Sequence, residues 1–209
     1  TALARDWDAA KANTRFLVIA TTKGDAGSIA TPVIELCKPA ASQAELDDLD
    51  APRQTRARIT VLSEEAESAW SERIDSLIEA ARDKDNAAPI SRILEMANAV
   101  SRHPDFVGND RKLRIYSDGL QNSDLGQFCQ TKGHMPRYAK FSTRAEFDAV
   151  RPVSFENVDV EMFLVEHGEM PSAEFPYCVK GELRTWWTDY FEDNSAKTVT
   201  ITAIQRQGE

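Results

Sequence analysis

The sequence predicts an α/β protein built as a three-layer sandwich, with helices on both faces of a mostly parallel sheet. Helical and strand-forming segments alternate along most of the chain, which is typical of parallel sheets. Two β-prone runs near the start, separated by glycines, predict an antiparallel hairpin at an edge of the sheet. The 209 residues, with 42% hydrophobic content, suffice for one medium α/β domain or two small ones. Because no internal repeat is visible, we predict a single domain over residues 1–209.

The first 37 residues predict a helix and then the hairpin. Leu3, Trp7 and Ala10 share one face of a helix over residues 2–12. Residues 15–21 form an apolar, β-prone run, and residues 32–37 form a second one. The glycine-containing stretch between them predicts a loop.

Two helices are predicted next, after a polar and irregular stretch over residues 38–52. Ser63 is a candidate N-cap of the first, which extends to about residue 84, and an earlier start from Pro52 onwards is the alternative. Pro89 is a candidate start of the second. Their predicted buried stripes are Trp70, Ile74, Leu77, Ile78 and Ala81, and then Ile90, Ile93, Leu94, Ala97 and Val100.

The second half predicts three strands and two helices. Strands are expected over residues 113–116, 158–165 and 197–204, and a long loop over residues 121–141. Ser142 is a candidate cap of a short helix that ends at residue 150. The helix over residues 181–193 has an aromatic stripe typical of core packing, formed by Leu183, Trp186, Trp187, Tyr190 and Phe191.

Composition limits the partners that we expect. The net charge is −9, whereas nucleic acid and anionic lipid are bound by basic surfaces. Neither a run of about 18 apolar residues nor a secretory signal is visible, so we expect no membrane-spanning segment in this chain. We therefore expect neither nucleic acid nor an anionic lipid surface as the partner.

The three cysteines, Cys37, Cys129 and Cys178, allow at most one internal disulfide. Their spacing fits no CxxC zinc pattern. Two alternatives stay open for them: buried or idle thiols, or one disulfide formed in an oxidising compartment.

The most informative segment is Ser117-Asp118-Gly119, a polar pair and a glycine at the end of a predicted strand. The carboxyl ends of strands are where open α/β sheets bind ligands. Asp118 offers the hard oxygen ligands that Mg²⁺ or Ca²⁺ prefers, and Ser117 is a second candidate ligand. The alternative is a turn aspartate that accepts hydrogen bonds from local backbone N–H groups.

Three short motifs carry a resemblance to a known family: Cys37-Lys38-Pro39, Ala88-Pro89-Ile90, and Ser117 to Gln121 with the order Ser-Asp-Gly-Leu-Gln. Together with the Trp186-Trp187 helix, they resemble the von Willebrand factor A domain. They are more similar still to poorly characterised bacterial A-domain-like proteins, which have Cys-Asn-Pro, Ser-Pro-Ile and Ser-Asp-x-Leu-Gln. The resemblance implies a Rossmann-like sheet and a protein-interaction module used for adhesion or as a scaffold.

The resemblance also implies a divalent-cation site that is degenerate or incomplete. In A-domains the ligands are an Asp-x-Ser-x-Ser loop after the central first strand, a threonine and a third-loop aspartate. Asp118 matches the third-loop aspartate, whereas Ala88 occupies the second-loop position. The only Asp-x-Ser in this chain, Asp193-Asn194-Ser195, ends a predicted helix and is typical of turn chemistry.

A central first strand is missing from this pattern. The strand at Phe16 corresponds to the second strand of such a domain, and residues 2–12 are predicted to be helical. We therefore expect an N-terminally incomplete domain, whose missing strand lies upstream or comes from another chain, unless the sheet closes in a different order. An upstream anchor and a periplasmic or envelope location follow as hypotheses, and a cytoplasmic location stays open.

The function predicted from these residues is recognition of a protein partner through Asp118, Gln121 and Asn122, with no catalytic residue assigned. The alternative is a Mg²⁺-dependent hydrolase or phosphotransfer enzyme that uses Asp118. Its only further carboxylates would be Asp25, Glu166 and Glu169. Cys129 and His134 lack a third orienting group, His167 is expected at a strand end, and no glycine-rich phosphate loop is present.

Overall fold

The computed structural model describes residues 2–20, 32–82, 91–128, 135–166 and 180–205. The chain divides into two compact units, Thr1–Ala88 and Pro89–Glu209. The expectation of a single, N-terminally incomplete domain stays a prediction. The mixed α/β class is confirmed, with a parallel three-strand sheet and an antiparallel hairpin.

The first unit contains the predicted hairpin between helices. Its elements in chain order are α1 (Ala2–Ala9), β1 (Arg15–Val18), β2 (Ile34–Cys37), α2 (Gln43–Asp48) and α3 (Arg56–Arg82). The two strands pair antiparallel from Arg15↔Cys37 to Val18↔Ile34 and form a two-stranded sheet of their own. The predicted loop over residues 22–28 lies outside the described residues.

The core of the first unit is a cluster of aromatic rings. Trp7 of α1 stacks on Trp70 of α3 with ring centroids 5.0 Å apart, and Phe16 of β1 contacts both rings. Ile34 and Ile74 complete the buried cluster. The predicted faces of α1 and α3 therefore pack against the hairpin.

One helix of this unit was not predicted, and the start of another differs from the sequence prediction. Residues 43–48 form α2, whose N-cap Ser42 accepts a hydrogen bond from Glu45 N–H. The Ser-x-x-Glu spacing of a capping box could have predicted it. The N-cap assignment of Ser63 is wrong, because α3 already begins at Arg56 and Thr55 Oγ1 accepts from the backbone N–H of Arg58.

The second unit contains the parallel sheet. Its elements are α4 (Ile93–Ser101), β3 (Arg111–Ser117), β4 (Asn122–Ser123), β5 (Gly126–Gln127), α5 (Tyr138–Phe141), α6 (Ala145–Asp148), β6 (Val158–Glu166), α7 (Lys180–Asp193) and β7 (Thr198–Gln205). The strand order is β3-β6-β7, and both neighbouring pairs are parallel. Among the described strands β6 is therefore in the middle, and β3, which Ser117-Asp118-Gly119 ends, lies at an edge.

One face of this sheet carries the core of the unit. The alternating side chains of β6 that face it are Val158, Val160, Met162 and Leu164, all buried. They share one cluster with residues of α4, α5, α6 and α7, and the predicted aromatic stripe of α7 is buried there. Within the described part of this unit the core thus forms two layers, helices on one sheet face, and the predicted third layer is not seen.

The segment predicted as a loop over residues 121–141 contains ordered elements. The short hairpin β4–β5 and helix α5 lie there, and Phe128 and Phe141 are buried in the core. Ser142 is the C-cap of α5, so its assignment as the N-cap of the next helix is wrong. Helix α6 begins only at Ala145.

Candidate functional site

The Ser117-Asp118-Gly119 turn follows the carboxyl end of β3. Asp118 Oδ1 accepts a hydrogen bond from Leu120 N–H at 3.0 Å, and Ser117 Oγ accepts one from Gly119 N–H at 3.1 Å. Both are side-chain-to-backbone bonds over two residues, the pattern by which aspartate and serine stabilise turns. The local-turn role of Asp118 is therefore present, and it leaves the cation role a prediction.

Gly119 fixes this turn against the helical layer. Its φ of 76° lies in the left-handed region that favours glycine. A Cβ at this position would lie 2.6 Å from Leu164 Cδ2, closer than atoms approach in proteins. The Gly119 carbonyl also accepts a hydrogen bond from Trp187 Nε1 at 2.9 Å. The main chain beside Asp118 is thus held by α7 and β6 at once.

Gln121 has a structural role that its sequence context did not reveal. Its side chain is fully buried, and its Oε1 accepts from the backbone N–H of Leu94 at 3.0 Å. Its Nε2 donates to Glu95 Oε2 at 2.8 Å and to Ser123 Oγ at 2.7 Å. Because the N-cap residue of α4 makes no side-chain capping bond, Gln121 caps this helix from a distant part of the chain.

The burial of Gln121 limits which residues of the predicted partner surface can contact a partner. A side chain with no exposed area presents nothing to a partner in this conformation, so contact at this end of the sheet would fall to its neighbours. Asn122 is half-buried, and its backbone N–H donates to Ser91 O at 2.7 Å. Partner binding by Asp118, Gln121 and Asn122 stays a prediction.

Asp118 and Ser117 could offer a cation two oxygen ligands of suitable chemistry, both from half-buried residues. The described residues contain no group of three or more histidine, cysteine, aspartate or glutamate side chains that could hold a metal ion. The second-loop position, Ala88, lies outside the described residues. A cation at Asp118 would therefore need ligands from other parts of the chain, from water or from a partner.

Several residues considered for an enzyme site are not described. Asp25, Glu169 and His167, and likewise the pair Cys129 and His134, lie outside the described residues. Glu166 is the last residue of β6.

The Asp193-Asn194-Ser195 segment ends α7 as predicted. Asn194 Nδ2 donates to Tyr190 O at 2.7 Å, and Ser195 has a φ of 68°. These two features are those of a helix end. Cys37 is an exposed free cysteine, and the other two cysteines lie outside the described residues.

A second candidate surface was not found from the sequence: the face of the parallel sheet opposite the core. Alternating residues of the three strands form rows across it. The rows are Lys112–Asp159–Thr198, Arg114–Glu161–Thr200 and Tyr116–Phe163–Thr202. Period-two alternation of polar and apolar residues in all three strands is the pattern that could have predicted a second polar face.

Comparison with known proteins gives no family assignment: no family model, curated protein or solved structure matches the chain. Among the described residues, no helix has both the length and the apolar character needed to cross a membrane.

Proposed function

We propose that this chain is a protein-interaction module with a von Willebrand A-like fold, used for adhesion or as a scaffold. Its contact surface would centre on Asp118, where an incomplete divalent-cation site is finished by ligands from outside the described residues. The mechanism is recognition: a cation held by Asp118 and Ser117 would accept a carboxylate from the partner.

The strand order supports the fold part of this proposal. Parallel neighbours β3-β6-β7, with α7 connecting the last two, have the arrangement of one half of a doubly wound sheet. In such sheets ligands bind outside the carboxyl ends of strands, beside the strand at which the order reverses. If a further strand lay beside β3, then β3 would be next to the point at which the strand order reverses. Asp118 follows the carboxyl end of β3.

The observation that carries the functional part is the fixed turn beneath Asp118. The Trp187–Gly119 hydrogen bond and the close approach of Leu164 to Gly119 hold the backbone of the turn against α7 and β6. A carboxylate on a rigid turn loses little conformational entropy when it binds, which favours recognition.

The test is calorimetric titration of the full native gene product with Mg²⁺, Ca²⁺ and Mn²⁺. We expect binding that Asp118→Asn weakens at least about tenfold, a loss of about 1.4 kcal/mol. Asparagine keeps a carbonyl oxygen that can accept from Leu120 N–H, so the turn is retained while the charge is lost. Asp124→Asn, in the exposed turn between β4 and β5, is the matched control and should bind like the parent.

The same variants separate recognition from turnover. Hydrolysis of p-nitrophenyl phosphate in the presence of Mg²⁺ should not depend on Asp118. A hydrolysis rate that falls in Asp118→Asn and not in Asp124→Asn would show that the chain is a metal-dependent hydrolase and not an interaction module.

A further inference from the structure

Among the described residues of the second unit, every side chain on the sheet face opposite the core is exposed or half-buried. Parallel sheets are ordinarily covered on both faces. Here Tyr116 is 38% exposed, and Lys112 and all three threonines of the rows are exposed as well. We name this surface, formed by the three rows defined above, the open sheet face.

The carboxylates of the open sheet face are already engaged by cations of this face and by Lys197, which directly precedes β7. Glu161 accepts a hydrogen bond from Arg114 Nε at 2.6 Å and lies 3.3 Å from Lys112 Nζ. Asp159 accepts from Thr198 Oγ1 at 2.7 Å and lies 3.4 Å from Lys197 Nζ. Both acidic side chains therefore have opposite charge beside them.

The charge left for a partner is positive. The side chains of Lys112 and Lys197 are 49% and 52% exposed, whereas those of Glu161 and Asp159 are both 27% exposed. An ammonium group has three N–H donors, so each lysine keeps donors beyond its one ion pair. In a chain of net charge −9, this face is complementary to an acidic partner.

An apolar contact area lies towards the carboxyl ends of the same strands. The rings of Tyr116 and Phe163 stack with centroids 4.8 Å apart and planes at 10°. Val165 and Ile204, paired in register and half-buried, form the next row on this face. Protein interfaces combine a central apolar anchor, often aromatic, with a polar rim. The aromatic pair and the aliphatic side chains beside it match such an anchor, and the charged rows match the rim.

We propose that the open sheet face binds an amphipathic helix of a partner protein. The apolar stripe of the helix covers Tyr116 and Phe163, and its acidic flank meets Lys112 and Lys197. A second copy of this chain stacked face to face here would present the same exposed lysines and not an acidic surface.

The size of the face sets the length of a probe. Two residues along a strand span about 7 Å, so the three rows and the adjoining Val165–Ile204 row together extend about 20 Å. A helix rises about 1.5 Å per residue, and about 14 residues cover that length. The probe is a fluorescein-labelled, lactam-stapled 18-residue helix with a leucine stripe at i, i+3, i+4 and i+7 and glutamates beside it. Its matched control has lysines in place of those glutamates.

Fluorescence anisotropy with the full chain tests the proposal. The glutamate-flanked helix should bind at least about tenfold more tightly than the lysine-flanked one. Tyr116→Ser should weaken its binding at least about tenfold, whereas Val153→Ser, which removes an apolar side chain that is 65% exposed elsewhere in the unit, should not. Lys112→Gln with Lys197→Gln should bring the two helices to within about threefold of each other.

Equal binding of both helices would overturn the proposal, as would unchanged binding in Tyr116→Ser. A doubled mass in light scattering that Tyr116→Ser abolishes would assign the face to a second copy of this chain and also overturn it. The inference needs no cation at Asp118, so its failure and the failure of the proposed cation site are separate results.

Discussion

Replacing Gln121 by leucine removes a buried amide that joins three parts of the second unit. Leucine has a similar volume and no polar atoms, so the change leaves the backbone N–H of Leu94 without its acceptor. A buried donor that loses its partner costs about 1–3 kcal/mol, and loss of a helix cap costs about 1 kcal/mol. The bonds that Gln121 donates to Glu95 and Ser123 are lost as well. Because these terms overlap, we expect about 3 kcal/mol of destabilisation.

Urea unfolding measures this loss, and amide hydrogen exchange locates it. Exchange at Leu94 should accelerate more than exchange elsewhere in α4, since this N–H loses its acceptor. Gln127→Leu, at an exposed position of β5, is the control and should change the unfolding free energy by less than about 0.5 kcal/mol. An equally small cost for Gln121→Leu would refute the assignment of Gln121 as the cap of α4.

Three further predictions concern the turn and the open sheet face. Gly119→Ala should lower the free energy of unfolding in urea by about 2–4 kcal/mol, because the added Cβ would meet Leu164. Gly108 also has a positive φ, 102°, but open space around it, so Gly108→Ala should cost only about 1 kcal/mol. Equal costs for the two variants would contradict the packing argument. Trp187→Phe should cost about 1–3 kcal/mol through the loss of the bond to the Gly119 carbonyl and of ring area, and a neutral effect would show that this bond does not fix the turn. Burial raises the pKa of Glu161, but the bonds from Arg114 and Lys112 outweigh it and hold this pKa below its usual value. The contribution of Glu161 to stability is therefore complete above about pH 4.3 and is lost as the pH falls through the lowered pKa. Glu161→Gln should make the unfolding midpoint less sensitive to pH between about 5 and 3, and an unchanged slope would contradict the ion pairs.

The sequence predicted the elements whose patterns are long and local. The aromatic stripe of α7 repeats over several turns, and the alternation in β6 and β7 extends over most of each strand. Such patterns are decided by residues close in sequence, and the structure confirms them within one or two residues. The hairpin was predictable for the same reason, since two apolar runs separated by glycines have few other arrangements.

Features that depend on distant residues could not be predicted in this way. Gln121 was expected on a partner surface because it follows a strand end, and its capping of α4 requires the tertiary fold to bring the two together. The layer arrangement could not be predicted for the same reason, because the alternation of helices and strands does not show which helices cover which face of the sheet. Helix α2 was missed despite a local pattern, the Ser42 to Glu45 capping spacing. At Asp118 the sequence predicted a turn at a strand end, and the cation remains a proposal.

Paramagnetic broadening by Mn²⁺ tests the central proposal most directly. In amide NMR spectra of the full native gene product, substoichiometric Mn²⁺ should broaden resonances of residues 117–121 first, and Asp118→Asn should remove this effect while Asp124→Asn preserves it. Broadening that is absent, that spreads evenly over acidic surface residues or that survives in Asp118→Asn would contradict a cation-assisted contact at this end of the sheet.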